Sequence, residues 1–308
     1  MQDSSPAIAE GPMPAVPGVD GEVDAKALRV ALAGIFISGL SPLLVRNSPV
    51  ATASTAFWRL LIALPAAMWL ARRETPLPLK ARFLAIVAGL LVAGDLVLWN
   101  RAVLSTTILE ATLLATLHPL LVAVAGWLLW RQAITRRLAI GGALAFAGLV
   151  LMTLGPVDGQ STVSGNLYAI AASVLYAGCM LVTGRLCQTY PTVAVTAWSF
   201  VGAAAGALPI AMFEDRFLPT DLHGWGFMAV YGGLTLLAYL LINRSLGKLP
   251  TALVAVLYFG QPVIATALAI PLLGEVPGPG DLAGAAVVVV GLVLATRPAK
   301  ATSASRWE

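Results

Sequence analysis

The side chains in this sequence that can do chemistry are few, and most of them interrupt apolar runs. Asp95 stands in VAGDLVLWN, with Trp99 four residues on and Asn100 beside it. His118 precedes Pro119, and 143 positions later Gln261 precedes Pro262. Tyr239 and Asn243 are four apart, Tyr258 comes three before Gln261, Tyr176 lies two turns beyond Tyr168, and Ser41, one turn from Ser38, precedes Pro42. A helix brings residues three and four apart onto one face, so these are short polar stripes on apolar helices. An ionisable group at mid-membrane costs roughly 2.5–3.5 kcal/mol on insertion scales and is a functional suspect for that reason. Asp95 is the strongest of them and the first candidate to carry a proton. The chemistry on offer is recognition: amides and freed carbonyls can bind an ammonium and a carboxylate, while Trp99 and the tyrosines accept a ring or methyl groups.

The same residues make no catalytic set. The chain has two histidines, His118 and His223, no HExxH or DDxxD pattern and no metal-ligand spacing, so neither a catalytic residue nor a metal or cofactor is expected. Bland readings stand beside the functional ones. A buried tyrosine hydroxyl can be satisfied by a neighbouring helix, and a mid-span histidine can be a packing group instead of a ligand contact. Arg59, Arg101 and Glu110 fall toward one end of their spans, where a structural ion pair of Arg59 with Glu110 is expected.

The prolines qualify this picture. A proline inside a helix removes one hydrogen bond and leaves the carbonyl four residues earlier without its partner. Pro119 frees Ala115 and Pro42 frees Ser38 in this way. In hydrocarbon such a carbonyl needs a protein group, a water or a ligand. Each break can be a simple packing kink. The recurrence of a polar residue before Pro119 and Pro262 favours Pro42, Pro119 and Pro262 as hinges beside a binding site.

The elements that must position these groups are membrane spans. The 308 residues are 58% hydrophobic and 11% charged, with mean hydropathy +0.86, against about 25% charged in a soluble domain. Apolar runs of about 20 residues, the length that crosses some 30 Å of hydrocarbon, recur near 27–45, 54–71, 82–103, 107–130, 137–153, 165–187, 192–213, 223–246, 251–273 and 279–296. Residues 1–25 carry four prolines, with no basic stretch leading into an apolar one, and read as a disordered cytoplasmic tail. Residues 297–308 read as a second cytoplasmic tail. Cys179 and Cys187, eight apart, make no disulfide framework.

With the N-terminus inside the cell, 15 of the 19 lysines and arginines fall in inner segments, while Glu214, Asp215, Asp221, Glu275 and Asp281 gather outside. Basic residues concentrate on the cytoplasmic side, so this sorting supports ten spans with both termini cytoplasmic. The net charge of +4 is thereby accounted for by topology, and no nucleic-acid partner is expected.

Shifted by 143 positions, the chain matches itself without gaps. Asn100-Arg101 falls on Asn243-Arg244, His118-Pro119 on Gln261-Pro262, Gly141 on Gly284, and the GLVL from Gly148 on the GLVL from Gly291. A weaker match pairs Gly39 and Arg46 with Gly178 and Arg185. Two repeats follow, 26–155 and 156–296. Because each has five spans, the second is inverted in the membrane relative to the first. Such inverted repeats provide alternating access to a midplane site. The fold class is therefore an all-α integral membrane protein of ten transmembrane helices, two inverted five-helix repeats around a central cavity.

The ten spans, the five-plus-five duplication, Trp58-Arg59 in the second span, Pro119 and Pro262, and Gly274-Glu275 together resemble the EamA-type exporters of the drug/metabolite transporter superfamily. Within them the chain is most similar to YddG-type amino acid exporters. The resemblance covers residues 26 to 296. Gln132 departs from it, standing in the first repeat where the second has Glu275. No pair of Lys or Arg at mid-depth could clamp a phosphate, which disfavours sugar-phosphate cargo. The resemblance implies export of neutral amino acids such as aromatic ones, methionine or threonine, from the cell inner membrane, with a monomer expected and lipid and the amino acid as partners. The substrate-binding candidates are Asp95, Trp99, Asn100, His118, Tyr176, Tyr239, Asn243, Tyr258, Gln261 and Ser41. An intramembrane transferase acting on a lipid or prenyl substrate is the alternative, and a channel is a weaker third reading for want of charge rings or a filter-like loop.

Overall fold

The computed structural model describes residues 24–105, 108–130, 134–152, 162–273 and 278–297, and every regular element among them is a helix. Seven helices are unbroken spans: α3 (Thr52–Ala71), α4 (Leu79–Ser105), α7 (Arg136–Met152), α8 (Val163–Thr189), α9 (Thr192–Ala211), α10 (Leu222–Leu246) and α13 (Pro279–Thr296). The other six pair into three interrupted spans. α1 (Ala25–Gly39) meets α2 (Ser41–Arg46) at Leu40, α5 (Ile108–Ala115) meets α6 (His118–Trp130) across Thr116–Leu117, and α11 (Thr251–Leu257) meets α12 (Gly260–Leu273) across Tyr258–Phe259. The total is ten, at the positions read from the sequence to within a few residues. Pro42, Pro119 and Pro262 each lie within the first three residues of the helix following a break, where a missing N–H costs least. The fourth span is thus not one continuous helix, and Ala115 and His118 are not carried on one face by unbroken periodicity.

The repeats are inverted, and two sets of contacts show it. Glu74 follows α3 and Glu214 follows α9, 140 positions apart as are Thr52 and Thr192 at the starts of the two helices. The Glu214 carboxylate accepts from Ala53 N (3.0 Å), Ser54 N (2.8 Å), Thr52 Oγ1 (3.1 Å) and Ser54 Oγ (2.9 Å). Glu74 in turn accepts from Ala194 N at 2.9 Å. Each acid accepts from unpaired N–H groups that open the other repeat's helix, and its charge sits at the positive end of that helix. The reciprocity requires α3 and α9 to run antiparallel. The Thr52 end is bonded more heavily, since Ala51 N also donates to Arg216 O (3.0 Å) and Trp58 Nε1 to Phe217 O (2.8 Å).

The second set is made of glycine. A Cβ added at Gly141 would lie 2.6 Å from Gly291 O, and one at Gly148 would lie 2.7 Å from Gly284 O. Repeat equivalence pairs Gly141 with Gly284 and Gly148 with Gly291, so the contacts exchange under the pseudo-two-fold that relates α7 to α13. Only residues without a side chain let two helix backbones come this close, as in other small-residue crossings in membranes. Gly89 and Gly202 do the same between α4 and α9, against the backbones of Ser199 and Ile86.

The first span is fastened to the eighth. Asp24 caps α1, accepting from Ala27 N (3.1 Å) and Lys26 N (2.8 Å), and these bonds hold its carboxyl below the usual carboxylate range. Lys248 at the foot of α10 reaches it at 3.9 Å, and Ser245 Oγ donates to Ala27 O at 3.2 Å.

Candidate substrate site at the crossing of the broken spans

The interruptions converge on a polar and aromatic centre, and the freed carbonyls explain why. His118 Nδ1 lies 3.1 Å from Ala115 O, an acceptor, so Nδ1 carries the proton. Gln261 Nε2 donates to Ser38 O at 3.0 Å. The polar residue before each of the two equivalent prolines therefore serves a carbonyl that a proline has freed: His118 within its own span, Gln261 across the repeats to the first span. His118 is buried, and its Nε2 has no hydrogen-bond partner among the described residues.

Around the imidazole stand two tyrosines. Its ring is edge-on to Tyr176 at 4.8 Å and to Tyr258 at 5.4 Å between centres, and the Tyr176 hydroxyl donates to that of Tyr258 at 2.5 Å. Tyr258 is itself the residue at which the ninth span breaks. Next to this trio a cavity of about 20 Å³ is lined by Tyr176, Cys179, Ser199, Tyr239, Asn243 and Tyr258 among others. That is room for about one water. Ligand sites hold roughly 300–1,000 Å³, so an amino-acid-sized molecule enters only when the helices part.

The remaining sequence candidates divide by what they touch. Asn243 lines the cavity and donates to Thr196 Oγ1 at 2.8 Å, and its repeat equivalent Asn100, buried, donates to Thr52 O at 2.8 Å. Both amides thus hold the start of a neighbouring span, α9 and α3 respectively. Tyr239 packs edge-on against Phe200 at 5.3 Å. Asp95 is partly exposed and accepts no hydrogen bond from any described residue, and Trp99, half-buried, follows one turn later. Ser41 opens α2 and shares a 2.7 Å hydrogen bond with the Tyr231 hydroxyl. Pro42, Pro119 and Pro262 all border the breaks.

One residue outside the sequence candidates joins this centre. Arg59 is 5% exposed, and its Nη1 donates to Tyr231 Oη and, at 3.2 Å, to Ser41 Oγ. The side chain of Glu110, the partner expected from sequence, lies outside the described ones. The signal was present, since Arg59 is the lone cation within the second apolar run. What the sequence lacked was any sign that two hydroxyls from distant spans would meet it. Trp58 beside it faces the other way, into a cluster with Phe57, Phe217 and Trp225. Glu275, Gly274 and Gln132 lie outside the described residues.

Comparison with known proteins follows this geometry. The model of the EamA-like transporter family matches twice, over residues 25–154 and 163–297. The chain is 28% identical to the uncharacterized transporter YwfM of Bacillus subtilis (strain 168), over 89% of this chain and 95% of that protein. It is 24% identical to the pseudopaline exporter CntI of Pseudomonas aeruginosa (strain UCBPP-PA14), over 70% and 75%. A crystal structure at 21% identity matches with TM-score 0.75 over 88% of this chain and 98% of its own, which establishes the likeness of fold. Two tandem copies of the family unit, built from antiparallel equivalents and meeting at three interrupted spans, make this chain a member of the EamA-like transporter family and a multi-pass membrane transporter.

Proposed function

We propose that the protein exports small neutral amino acids and related zwitterionic metabolites across the cell inner membrane by alternating access, with both termini in the cytoplasm. The observation that carries this reading is that the broken fourth and ninth spans meet at His118 and Tyr258, beside a small cavity lined by tyrosines and Asn243. Interrupted helices beside a midplane cavity between inverted repeats are how alternating-access carriers hold cargo. Aromatic lining suits rings and methyl groups, and the absence of lysine and arginine from the described cavity walls favours a zwitterion over a phosphate ester. The similarity to a protein named as an exporter supports the direction. The sorting of basic residues supports the orientation.

Purified protein in liposomes preloaded with an unlabelled amino acid is expected to accumulate the labelled one by counterflow, saturably. A panel that includes phenylalanine, tryptophan, methionine and threonine tests the class. Absence of counterflow for every member, in protein shown to be folded and inserted, refutes it.

A further inference from the structure

Arg59 is a buried cation whose fork is half used. Both of its hydrogen bonds to described residues leave from Nη1, toward Ser41 and Tyr231. Among the described residues its buried Nε has no partner, and none bonds to the Nε/Nη2 edge. That edge is the one a carboxylate engages with two parallel hydrogen bonds. A guanidinium keeps its charge at any accessible pH, so the edge cannot be silenced by deprotonation. Tyr231 and Ser41 hold the group in place, the Tyr231 ring centre lying 5.0 Å from Cζ. Ser41 is also the first residue after the break in the first span, so the cation touches a hinge.

The complementary charge is close by. The Asn100 bond to Thr52 O sets α4 alongside the start of α3. Counting from it at about 1.5 Å per residue, Arg59 and Asp95 lie about 10 Å and about 8 Å along their helices, in the same direction. The two charges share a depth, interact electrostatically and form no contact ion pair. Tyr239, a wall of the central cavity, feels both.

We infer that Arg59 and Asp95 hold the two ends of a zwitterionic substrate, its carboxylate on the Nε/Nη2 edge of the guanidinium and its ammonium at the Asp95 carboxyl. Neither charge has an ion-pair partner among the described residues, so cargo with both charges would supply one to each. A molecule lacking either end leaves one charge unpaired, which is a strong basis for rejection. The assignment rests on the proposed amino acid transport and adds the residues that read the backbone of the amino acid.

The test is equilibrium binding of labelled L-phenylalanine to the purified full-length chain. Competition by 2-phenylethylamine, which lacks the carboxylate, and by 3-phenylpropionate, which lacks the ammonium, is expected to be at least tenfold weaker than by phenylalanine. Arg59→Gln is expected to lose at least tenfold in phenylalanine affinity and to stop distinguishing phenylalanine from phenylethylamine. Arg59→Lys, which keeps the charge without the fork, should fall between. Tyr231→Phe, which loosens the guanidinium and leaves it in place, should weaken binding several-fold, and it decides the matter if Arg59→Gln does not fold. Phenylethylamine binding to the wild type within twofold of phenylalanine, or Arg59→Gln binding phenylalanine within twofold of wild type, overturns the assignment. If the wild type binds no amino acid at all, the transport reading fails by itself. Thermal stabilisation by 3-phenylpropionate against its amide then decides the anchor: a carboxylate preference lost in Tyr231→Phe upholds it, and no preference overturns it.

Discussion

Gln261 donates from Nε2 to the main-chain oxygen of Ser38 at 3.0 Å, so a side chain of the ninth span completes the backbone of the first. Ser38 O is the group that Pro42 leaves unpaired. Gln261→Met keeps the volume and removes the donor. A buried carbonyl left unpaired costs about 1–3 kcal/mol, and the variant is expected to show a lower unfolding midpoint in detergent. An unchanged midpoint would mean that water or another donor serves Ser38.

The helix caps supplied by Glu74 and Glu214 are equivalent by repeat and unequal in bonding. Loss of a cap costs about 0.5–2 kcal/mol. Glu214→Ala should therefore fall toward the upper end of that range and Glu74→Ala toward the lower, since four hydrogen bonds are lost in one case and one in the other. Hydrogen exchange at the amides of residues 53 and 54 should accelerate in Glu214→Ala alone. Equal effects of the two substitutions would contradict the asymmetry.

At the α7–α13 crossing there is no space for even a methyl group. Gly148→Ala and Gly284→Ala each place a Cβ within about 3 Å of the opposite backbone and should cost 1–3 kcal/mol or more of overpacking. The readout is the yield of monodisperse protein on size exclusion. Gly226, whose Cβ would meet nothing within 4 Å, provides the control: Gly226→Ala should be tolerated.

Inverted topology is checked at Arg101 and Arg244, both exposed and equivalent in the two repeats. Arg101→Cys should react with an impermeant maleimide added outside intact cells, and Arg244→Cys only after permeabilisation. The native cysteines are both buried and give a low background. Labelling of both from one side would remove the basis for alternating access.

Cys179 lines the central cavity, whereas Cys187 is packed with Leu186 and Ala194 in the apolar core. A small methanethiosulfonate reagent should modify Cys179 faster when substrate drives turnover, and Cys187→Ser should not alter that rate. If turnover leaves the Cys179 rate unchanged, the cavity does not open during the cycle.

Much of this fold could be read before any coordinates. Span positions followed from apolar length and their number from the sorting of basic residues, and the duplication was visible in HP and QP and in two GLVL runs. The breaks were legible as prolines. Their partners were not. Sequence showed that Ser38 O needed a donor but not that it would come from Gln261, 223 residues away. Glu214 counted in the sequence only as an outer acid, since capping another repeat's helix leaves no local mark. Arg59 was assigned an acid because a buried charge ordinarily has one, and its two hydroxyl partners come from elements 18 and 172 residues away. Local pattern fixes where polar groups lie along a span, and packing between spans decides what each one meets.

The unequal fastening of the two ends of the α3–α9 pair bears on kinetics. Under the proposed alternating access, a carrier whose Glu214 side is latched by more bonds than its Glu74 side is expected to spend unequal time in its two empty orientations. Half-saturating concentrations measured from the two faces should then differ, even for a carrier that spends no energy. Such a bias alters how quickly cargo crosses at a given load, and leaves the final concentration ratio to whatever ion, if any, travels with it.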